Sequence, residues 1–230
     1  RLKLMGGLGY PGSAYARNRH NVGFMAVDRI HEEWSGGPWR RKFQSDVAEA
    51  SIDGVRVMFV KPRTFMNESG RAVSEASRFY KVALGDILVI HDEIDLSPGK
   101  FRMKTGGGNG GHNGLKSITS VMRDGYRRLR IGVGHPGRRE LVPGYVLRDF
   151  SRGDDDWLAP LLDAFASEAQ LLAAGKDAAF ASKVHHRLGG TKKPVKRPDA
   201  GPPVPAPAAQ KRPERVATRP FAVLAQLLRK

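Results

Sequence analysis

The 230-residue sequence contains no cysteine. This absence excludes disulfide scaffolds, cysteine nucleophiles, thiolate zinc sites and iron–sulfur clusters ligated by cysteine. Long hydrophobic runs are missing too, since no segment approaches the roughly 18 consecutive apolar residues that a membrane span requires. No signal-like segment precedes the first strand-like run, so we expect a cytoplasmic protein with no membrane partner. The chemistry of the chain must then depend on His, Asp, Asn or Ser side chains.

Acidic residues are few relative to basic ones. The chain has 23 Asp and Glu against 39 Lys and Arg, a formal net charge of +16. Residues 189–230 hold ten of the basic residues, only two of the acidic ones, and eight of the 15 prolines. Such a composition cannot bury enough apolar surface to offset the entropy of ordering. We therefore predict a disordered, basic C-terminal tail over 189–230, after one domain over 1–188.

Strand-like and helix-like segments alternate along residues 1–188. Two apolar runs separated by Asp53-Gly54 predict a β-hairpin, and the short apolar run 87–91 predicts a buried central strand. The alternation predicts an α/β fold: a single three-layer α/β/α domain with a mixed, mostly parallel twisted sheet. The predicted strands are 2–7, 47–52, 55–60, 87–91, 100–104 and 128–133, and the predicted helices are 22–34, 68–80, 115–122, 157–175 and a last one ending near 188.

The residues that follow the predicted strands are rich in Gly, His and Asn. His20 comes after the first strand, Asn67 after the hairpin and Asp92 after the central strand. Asn113 lies in the glycine-rich segment 106–114. Because ligands of open α/β sheets bind at the carboxyl ends of the strands, we expect these side chains to share one glycine-lined site.

Six motifs follow one another between residues 4 and 188: GLGYPG, RHNVGF, KPRTFMNESG, HDEIDL, GGGNGGHNG and RLRIGVGHPG. Over this span the sequence resembles the bacterial peptidyl-tRNA hydrolases, whereas residues 189–230 lie outside the resemblance. The resemblance implies hydrolysis of the ester that joins a peptide, or an N-blocked aminoacyl group, to the 3′ end of tRNA. This reaction releases tRNA and peptide from peptidyl-tRNAs dropped during translation. The resemblance also implies a monomer.

His20 is the candidate general base for such an ester hydrolysis. A positioned imidazole contributes about 10²–10⁴-fold to the rate. His20 precedes a predicted helix whose dipole would lower its pKa, whereas Asp92, if it reaches His20, would oppose that shift and fix the tautomer. We therefore expect a pKa balanced near neutrality. No G-x-S-x-G motif supplies a serine nucleophile, which favours direct attack by water, and the resemblance likewise implies His20 as proton acceptor and Asp92 as its stabiliser.

Five further residues are candidates for substrate contact. Position alone favours helix capping for Asn67 and Asn113, because each precedes a predicted helix. The resemblance implies that both contact substrate, and the two roles are compatible. It also implies substrate or tRNA contacts for Tyr15, Phe65 and Met66, and the aromatic faces of Tyr15 and Phe65 can stack on a base. Core packing is the alternative for Phe65.

Lys104 and Arg130 match the pair of residues that grips the terminal phosphate of the acceptor stem in the family. From the residues alone, each would be a solvated surface charge. Double-stranded RNA is recognised by shape and phosphate rather than by base identity. Such recognition suits an enzyme that must accept every elongator tRNA.

The first loop departs from the family pattern at Tyr10. Where family members usually read G-N-P-G, this chain reads Gly-Tyr-Pro-Gly. The asparagine is understood to help distinguish blocked from free aminoacyl ends, through polar contacts that a phenol does not reproduce. Either Tyr10 points away from the site or recognition is altered. Tyr10 is also the only support for an alternative function, a catalytically weakened member of the family that acts as an RNA-binding module.

Two other kinds of site are disfavoured. Residues 7–12 and 106–111 match the dinucleotide fingerprint G-x-G-x-x-G, but the first acidic candidate for a ribose, Asp28, falls inside a predicted helix. We expect no cofactor. The polar residues of 91–95 include possible metal ligands, but successive strand residues point to opposite faces. We predict no metal site.

The predicted tail has two possible roles. A flexible segment of net charge +8 would raise the rate or affinity of tRNA binding through counterion release, without conferring specificity. The alternative is an inert solubilising extension.

Overall fold

Strands and helices alternate along residues 1–189, the part of the chain that this computed structural model describes. The strands are β1 (Lys3–Gly7), β2 (Arg40–Lys42), β3 (Ser45–Ile52), β4 (Val55–Pro62), β5 (Ile87–Glu93), β6 (Phe101–Thr105) and β7 (Arg127–Gly132). The α-helices are α1 (Val22–Glu33), α2 (Ser69–Phe79), α3 (Asn113–Met122), α4 (Val142–Val146), α5 (Asp155–Ser167), α6 (Ala169–Ala173) and α7 (Asp177–Gly189).

The strands form one mixed sheet in the order β2-β3-β4-β1-β5-β7-β6. β1 is parallel to both β4 and β5, and β5 is parallel to β7. β3 and β6 run antiparallel to their neighbours, so that five strands share one direction and two oppose it. This confirms the predicted mixed, mostly parallel sheet. The carboxyl ends of β1, β4, β5 and β7 therefore meet at one edge of the sheet.

The turn between β3 and β4 follows the Asp53-Gly54 prediction. Ile52 pairs with Val55 across the turn, and Asp53 and Gly54 both have positive φ, 48° and 78°. Two consecutive residues with positive φ are the mark of the type I′ turn that joins tight hairpins. The predicted hairpin is confirmed.

Side chains alternate between the two faces of the sheet and form two separate cores. Met5 of β1 belongs to a buried cluster that also contains residues of α1, α5, α6 and α7. Leu4, the preceding residue, belongs to a second cluster with residues of α2 and α3. Because successive strand residues point to opposite faces, each face is covered by its own helices. The three-layer α/β/α arrangement is confirmed.

Some elements differ from the prediction. The predicted helix 157–175 is two helices, α5 and α6, which meet at Glu168. β2 carries three exposed basic residues with no alternating pattern, so no periodic signal identified it. β5 extends two residues beyond the predicted 87–91, which places Asp92 inside the strand rather than after it.

The predicted tail lies almost entirely outside the described residues. Its first residue, Gly189, ends α7, and residues 190–230 belong to the part of the chain that is not described. Among residues 1–189, no helix combines the length and hydrophobicity needed to cross a membrane.

Candidate active site

A histidine and an aspartate meet at the carboxyl ends of the two central strands. His20 lies in a short 3₁₀ turn, Arg19–Asn21, between β1 and α1. Asp92 is the sixth residue of β5, the strand beside β1. The Nδ1 atom of His20 lies 2.8 Å from Oδ1 of Asp92, and the two residues are only 9% and 3% exposed. The two candidate catalytic residues of the sequence are thus hydrogen-bonded partners.

A second histidine, His112, contacts the same carboxylate oxygen. Its Nε2 atom lies 2.9 Å from Oδ1 of Asp92. Its Nδ1 atom accepts the backbone N–H groups of Gly114 and Leu115, at 3.1 and 3.4 Å. An atom that accepts N–H groups carries no proton, so the proton of neutral His112 lies on Nε2 and is donated to Asp92. No sequence pattern singles out His112 as a site residue, although it directly precedes the candidate Asn113.

The hydrogen bonds also assign the tautomer of His20. An ionised carboxylate only accepts, so Nδ1 of His20 must donate to Asp92. The neutral ring therefore keeps its lone pair on Nε2, the atom available as a base. Burial lowers the pKa of His20, but the charge and hydrogen bond of Asp92 act in the opposite direction and leave the pKa above its usual value. The sequence predicted that the helix dipole and Asp92 would balance and leave the pKa of His20 near neutrality, whereas the structure gives a net upward shift of this pKa.

Asp92 is the fixed anion of the site. Burial alone would raise its pKa, but electrostatic interaction with His20 and His112 and the hydrogen bonds that they donate hold the pKa of this carboxyl well below its usual range. It is therefore a carboxylate at neutral pH. Such an anion orients the imidazole and stabilises the imidazolium that forms when His20 accepts a proton.

Tyr10 lies beside His20. Its backbone N–H donates to Oδ1 of Asn21 at 2.7 Å, and its carbonyl accepts from Nδ2 of Asn21 at 2.8 Å. Its ring centroid lies 5.8 Å from that of His20 and 5.2 Å from that of Tyr15. Burial, Tyr15 and Asp92 all raise the pKa of the Tyr10 phenol, so it is neutral at physiological pH. The alternative that Tyr10 points away from the site is excluded.

Neither asparagine candidate caps a helix. The N-cap of α3 is His112, and Asn113 is the first residue of that helix. Asn67 lies inside the 3₁₀ turn Met66–Glu68. Both side chains are exposed, and neither has a hydrogen-bond partner within residues 1–189. The capping prediction is therefore wrong for both residues, and their amide groups are available to a ligand.

Aromatic and basic side chains line a cleft of about 690 Å³ that reaches Tyr10. Tyr15 and Phe65 are 41% and 73% exposed. Core packing is therefore the wrong alternative for Phe65. Met66 differs from them, because it is 3% exposed and belongs to the core cluster of α2 and α3. The other residues that line the cleft are Pro11, Arg41, Lys42, Gln44, Ser45, Arg63, Thr64 and Glu68.

Lys104 and Arg130 lie on the adjacent strands β6 and β7. Arg130 donates from Nε to Oε2 of Glu93 at 2.9 Å, so its charge is partly compensated. Within the described residues Lys104 has no carboxylate partner. The direct cross-strand neighbour of Lys104 is Arg128, and Arg130 lies two residues farther along β7.

The ligand atoms of His20, Asp92 and His112 all lie within 4.8 Å of one another, close enough for a metal ion. The hydrogen bonds argue against this use. The Nε2 atom of His112, which a metal would need, carries the proton donated to Asp92, and Nδ1 already accepts two N–H groups. The three side chains form a hydrogen-bonded set, and the absence of a metal stays a prediction.

Known proteins are similar to this chain in sequence and in fold. Residues 4–193 match the family model described as peptidyl-tRNA hydrolase. The peptidyl-tRNA hydrolase of Methylobacterium nodulans is 57% identical over 189 residues, which cover 82% of this chain and 93% of that protein. That of Rhizobium etli is 47% identical over 222 residues, which cover 95% and 91%.

A solved structure extends the likeness to the fold. The crystal structure of peptidyl-tRNA hydrolase from Acinetobacter baumannii superposes with a TM-score of 0.76 at 38% identity. The match covers 80% of this chain and 94% of that one.

Proposed function

The chain belongs to the peptidyl-tRNA hydrolase family, and we propose that His20 and Asp92 carry out the hydrolysis that gives the family its name. The enzyme is an ester hydrolase that acts on peptidyl-tRNA. The observation that supports this assignment best is the 2.8 Å hydrogen bond between Nδ1 of His20 and the buried carboxylate of Asp92. This bond leaves Nε2 of His20 unprotonated, with a lone pair that can accept a proton.

The reaction proceeds by attack of water. Nε2 of His20 removes a proton from water as the water oxygen bonds to the ester carbonyl carbon, which gives a tetrahedral intermediate with a negative carbonyl oxygen. The bond between this carbon and the ribose 3′ oxygen then breaks. The proton on Nε2 passes to the leaving 3′ oxygen. The products are a peptide with a free carboxyl group and a tRNA with a free 3′ hydroxyl.

The exposed amides of Asn67 and Asn113 are donors for the substrate carbonyl and the developing oxyanion. Asn113 follows His112, which is anchored to Asp92, so its backbone is fixed relative to the base. Removing one donor to an oxyanion typically costs about 10²–10³ in rate. We expect Asn113→Ala to lose activity on this scale.

The cleft beside Tyr10 takes the 3′ end of the tRNA. Tyr15 and Phe65 offer exposed rings, and stacking of a base on an aromatic ring is worth about 1–3 kcal/mol. Met66, buried beneath, supports Gly114 at the start of α3, since a Cβ there would lie 2.7 Å from the Met66 sulfur. Lys104 and Arg130 bind phosphate of the acceptor stem. The enzyme acts as a monomer without metal or cofactor, in the cytoplasm where translation supplies its substrate.

The test is release of tRNA from N-acetyl-aminoacyl-tRNA by the full chain and by His20→Ala. We expect the wild type to release tRNA and the variant to lose about 10²–10⁴ of kcat with a similar KM. Binding of the substrate without release by the wild type would contradict the proposal and favour the RNA-binding alternative.

A further inference from the structure

The glycine-rich loop of residues 106–111 is held from below by a buried arginine. Arg128 of β7 is 1% exposed, and its guanidinium carbon lies 4.7 Å from the centroid of the Tyr126 ring. Nη1 donates to the carbonyl of Gly108 at 2.8 Å, and Nη2 donates to the carbonyl of Gly107 at 3.0 Å. No carboxylate among residues 1–189 forms an ion pair with it. Its charge interacts with the carboxylate of Asp124 without direct contact, and a buried charge that lacks a directly paired counter-ion is costly.

The two hydrogen bonds of Arg128 decide which way the loop's N–H groups point. In a trans peptide the C=O and N–H groups point in opposite directions, and residues 1–189 contain no cis peptide. Since the carbonyls of Gly107 and Gly108 point at Arg128, the following N–H groups, those of Gly108 and Asn109, point away from it. Neither N–H has a partner within the described residues.

A cation lies against the loop that carries these two donors. A Cβ on Gly107 would lie 2.7 Å from Nζ of Lys104, so the ammonium group sits against the loop. Successive outward N–H groups with an adjacent cation form the kind of concavity that binds anions. Two carboxylates among residues 1–189 lie against the loop, and both already have partners. Asp124 accepts the N–H of Gly107 at 2.9 Å, and Glu93, which lies 3.9 Å from the position of a Cβ on Gly110, accepts from Arg130.

The same face of the sheet carries further positive charge. Cross-strand pairing places Lys104 opposite Arg128 and Arg102 opposite Arg130, so all four cations project from one face. Glu93 is the one acid among residues 1–189 that is hydrogen-bonded to any of them. The local field therefore favours a polyanion.

We propose that the N–H groups of Gly108 and Asn109, with Lys104, bind a phosphate group of the tRNA, and that Arg128 is the positioning residue that orients them. This rests on the proposed function and adds two backbone donors and Arg128 to the Lys104 and Arg130 pair. Arg128 lies three residues before Ile131, the partner of Asp92 in the sheet, or about 10 Å along the strand. The phosphate therefore lies away from the ester, and its loss affects binding rather than the chemical step.

The test compares Arg128→Gln, Arg128→Lys and Arg127→Gln in the full chain, on N-acetyl-aminoacyl-tRNA with and without its 5′ phosphate. Arg127 is the matched control, because it is also buried but points to the opposite face and bonds Asp177 and the Leu172 carbonyl. We expect Arg128→Gln to raise KM about tenfold with kcat within twofold. Arg128→Lys keeps the positive charge but cannot donate to both loop carbonyls from one planar group, so it should give an intermediate KM.

The two substrates identify the phosphate. A KM effect confined to the 5′-phosphorylated substrate assigns the terminal phosphate, and an equal effect on both assigns a phosphodiester of the acceptor stem. Arg127→Gln should lower the melting temperature and leave KM unchanged. The inference is overturned if folded Arg128→Gln keeps the wild-type KM on both substrates, or if Arg127→Gln raises KM equally. Failure of the wild type to release tRNA would instead reject the proposed function.

Discussion

At the scale of single residues, Asp92 organises the site. One of its oxygens accepts from both His20 and His112, so a single buried carboxylate fixes the tautomers of two imidazoles. Hydrogen bonds to a charged group contribute about 1.5–3 kcal/mol each. This accounts for a carboxylate that stays ionised although it is 3% exposed.

Tyr10 stands where the family resemblance leads us to expect asparagine. Its ring lies 5.8 Å from that of His20 and its backbone is fixed by Asn21, so an asparagine here would present an amide from the same position. We expect Tyr10→Asn to raise kcat/KM for N-acetyl-aminoacyl-tRNA relative to free aminoacyl-tRNA by about tenfold, the scale of one hydrogen bond. Tyr10→Phe, which keeps the ring, is the control and should resemble the wild type. Equal kcat/KM values for wild type and Tyr10→Asn would refute the prediction.

His91, the neighbour of Asp92, makes stability depend on pH. Burial first, then His112, lowers its pKa from 6.5 to about 3. The unfolded chain therefore takes up a proton between pH 6.5 and 3 that the folded protein does not, and stability falls as the pH drops through this window.

The size of the His91 effect is measurable with one variant. Between pH 7 and pH 5 the wild type should lose about 2 kcal/mol of unfolding free energy through this group. In His91→Gln, which does not titrate, denaturant unfolding should show a loss smaller by about that amount. The same pH dependence in both proteins would show that His91 is not held neutral.

At the scale of elements, His112 joins a helix end to the carboxylate of Asp92. Its Nδ1 atom caps α3 and its Nε2 atom bonds Asp92. His112→Ala should lose both contacts, whereas His112→Asn keeps an oxygen that can cap the helix. We expect kcat to fall about tenfold in both variants, and the free energy of unfolding to fall by about 1 kcal/mol more in His112→Ala. Steady-state kinetics and denaturant unfolding separate the two roles, and an unchanged kcat in both variants would contradict the link to Asp92.

Local sequence patterns predicted most elements because each has a local cause. The positive φ angles of the Asp53-Gly54 turn and the apolar run of β5 are properties of adjacent residues. The pairing of His20 with Asp92 was predictable because both lie at the carboxyl ends of adjacent parallel strands. β2 was not predictable, since three exposed basic residues form a strand only through pairing with β3.

Long-range contacts explain what the sequence did not predict in the site. The predicted cap of α3 was Asn113, but the preceding residue, His112, caps the helix instead. Its ring is held in place by the hydrogen bond to Asp92. The sequence gives no sign that Arg128 differs from other charged strand residues. Its role depends on two loop carbonyls that lie 20 and 21 residues away along the chain. Periodicity and propensity carry no information about such partners.

At the scale of the whole molecule, the basic excess is divided between the folded domain and the segment 190–230. This segment has a net charge of +8. We expect its deletion, which spares Gly189 at the end of α7, to reduce the salt dependence of tRNA binding while kcat stays unchanged. Binding measured between about 50 and 200 mM salt gives the slope. An unchanged slope would favour the inert extension.

At the scale of the whole domain, we expect activity to depend on the effect of Asp92 on His20, the proposed general base. The most direct test is the pH dependence of kcat/KM for N-acetyl-aminoacyl-tRNA in the wild type and in Asp92→Asn. The unprotonated base is the active form, and the pKa of His20 lies above its usual value of 6.5, so wild-type activity should rise with pH through a pKa above 6.5. In Asp92→Asn burial acts without the opposing charge, and this rise should move to lower pH while the maximum rate falls. A rise at the same pH in both proteins would contradict the account.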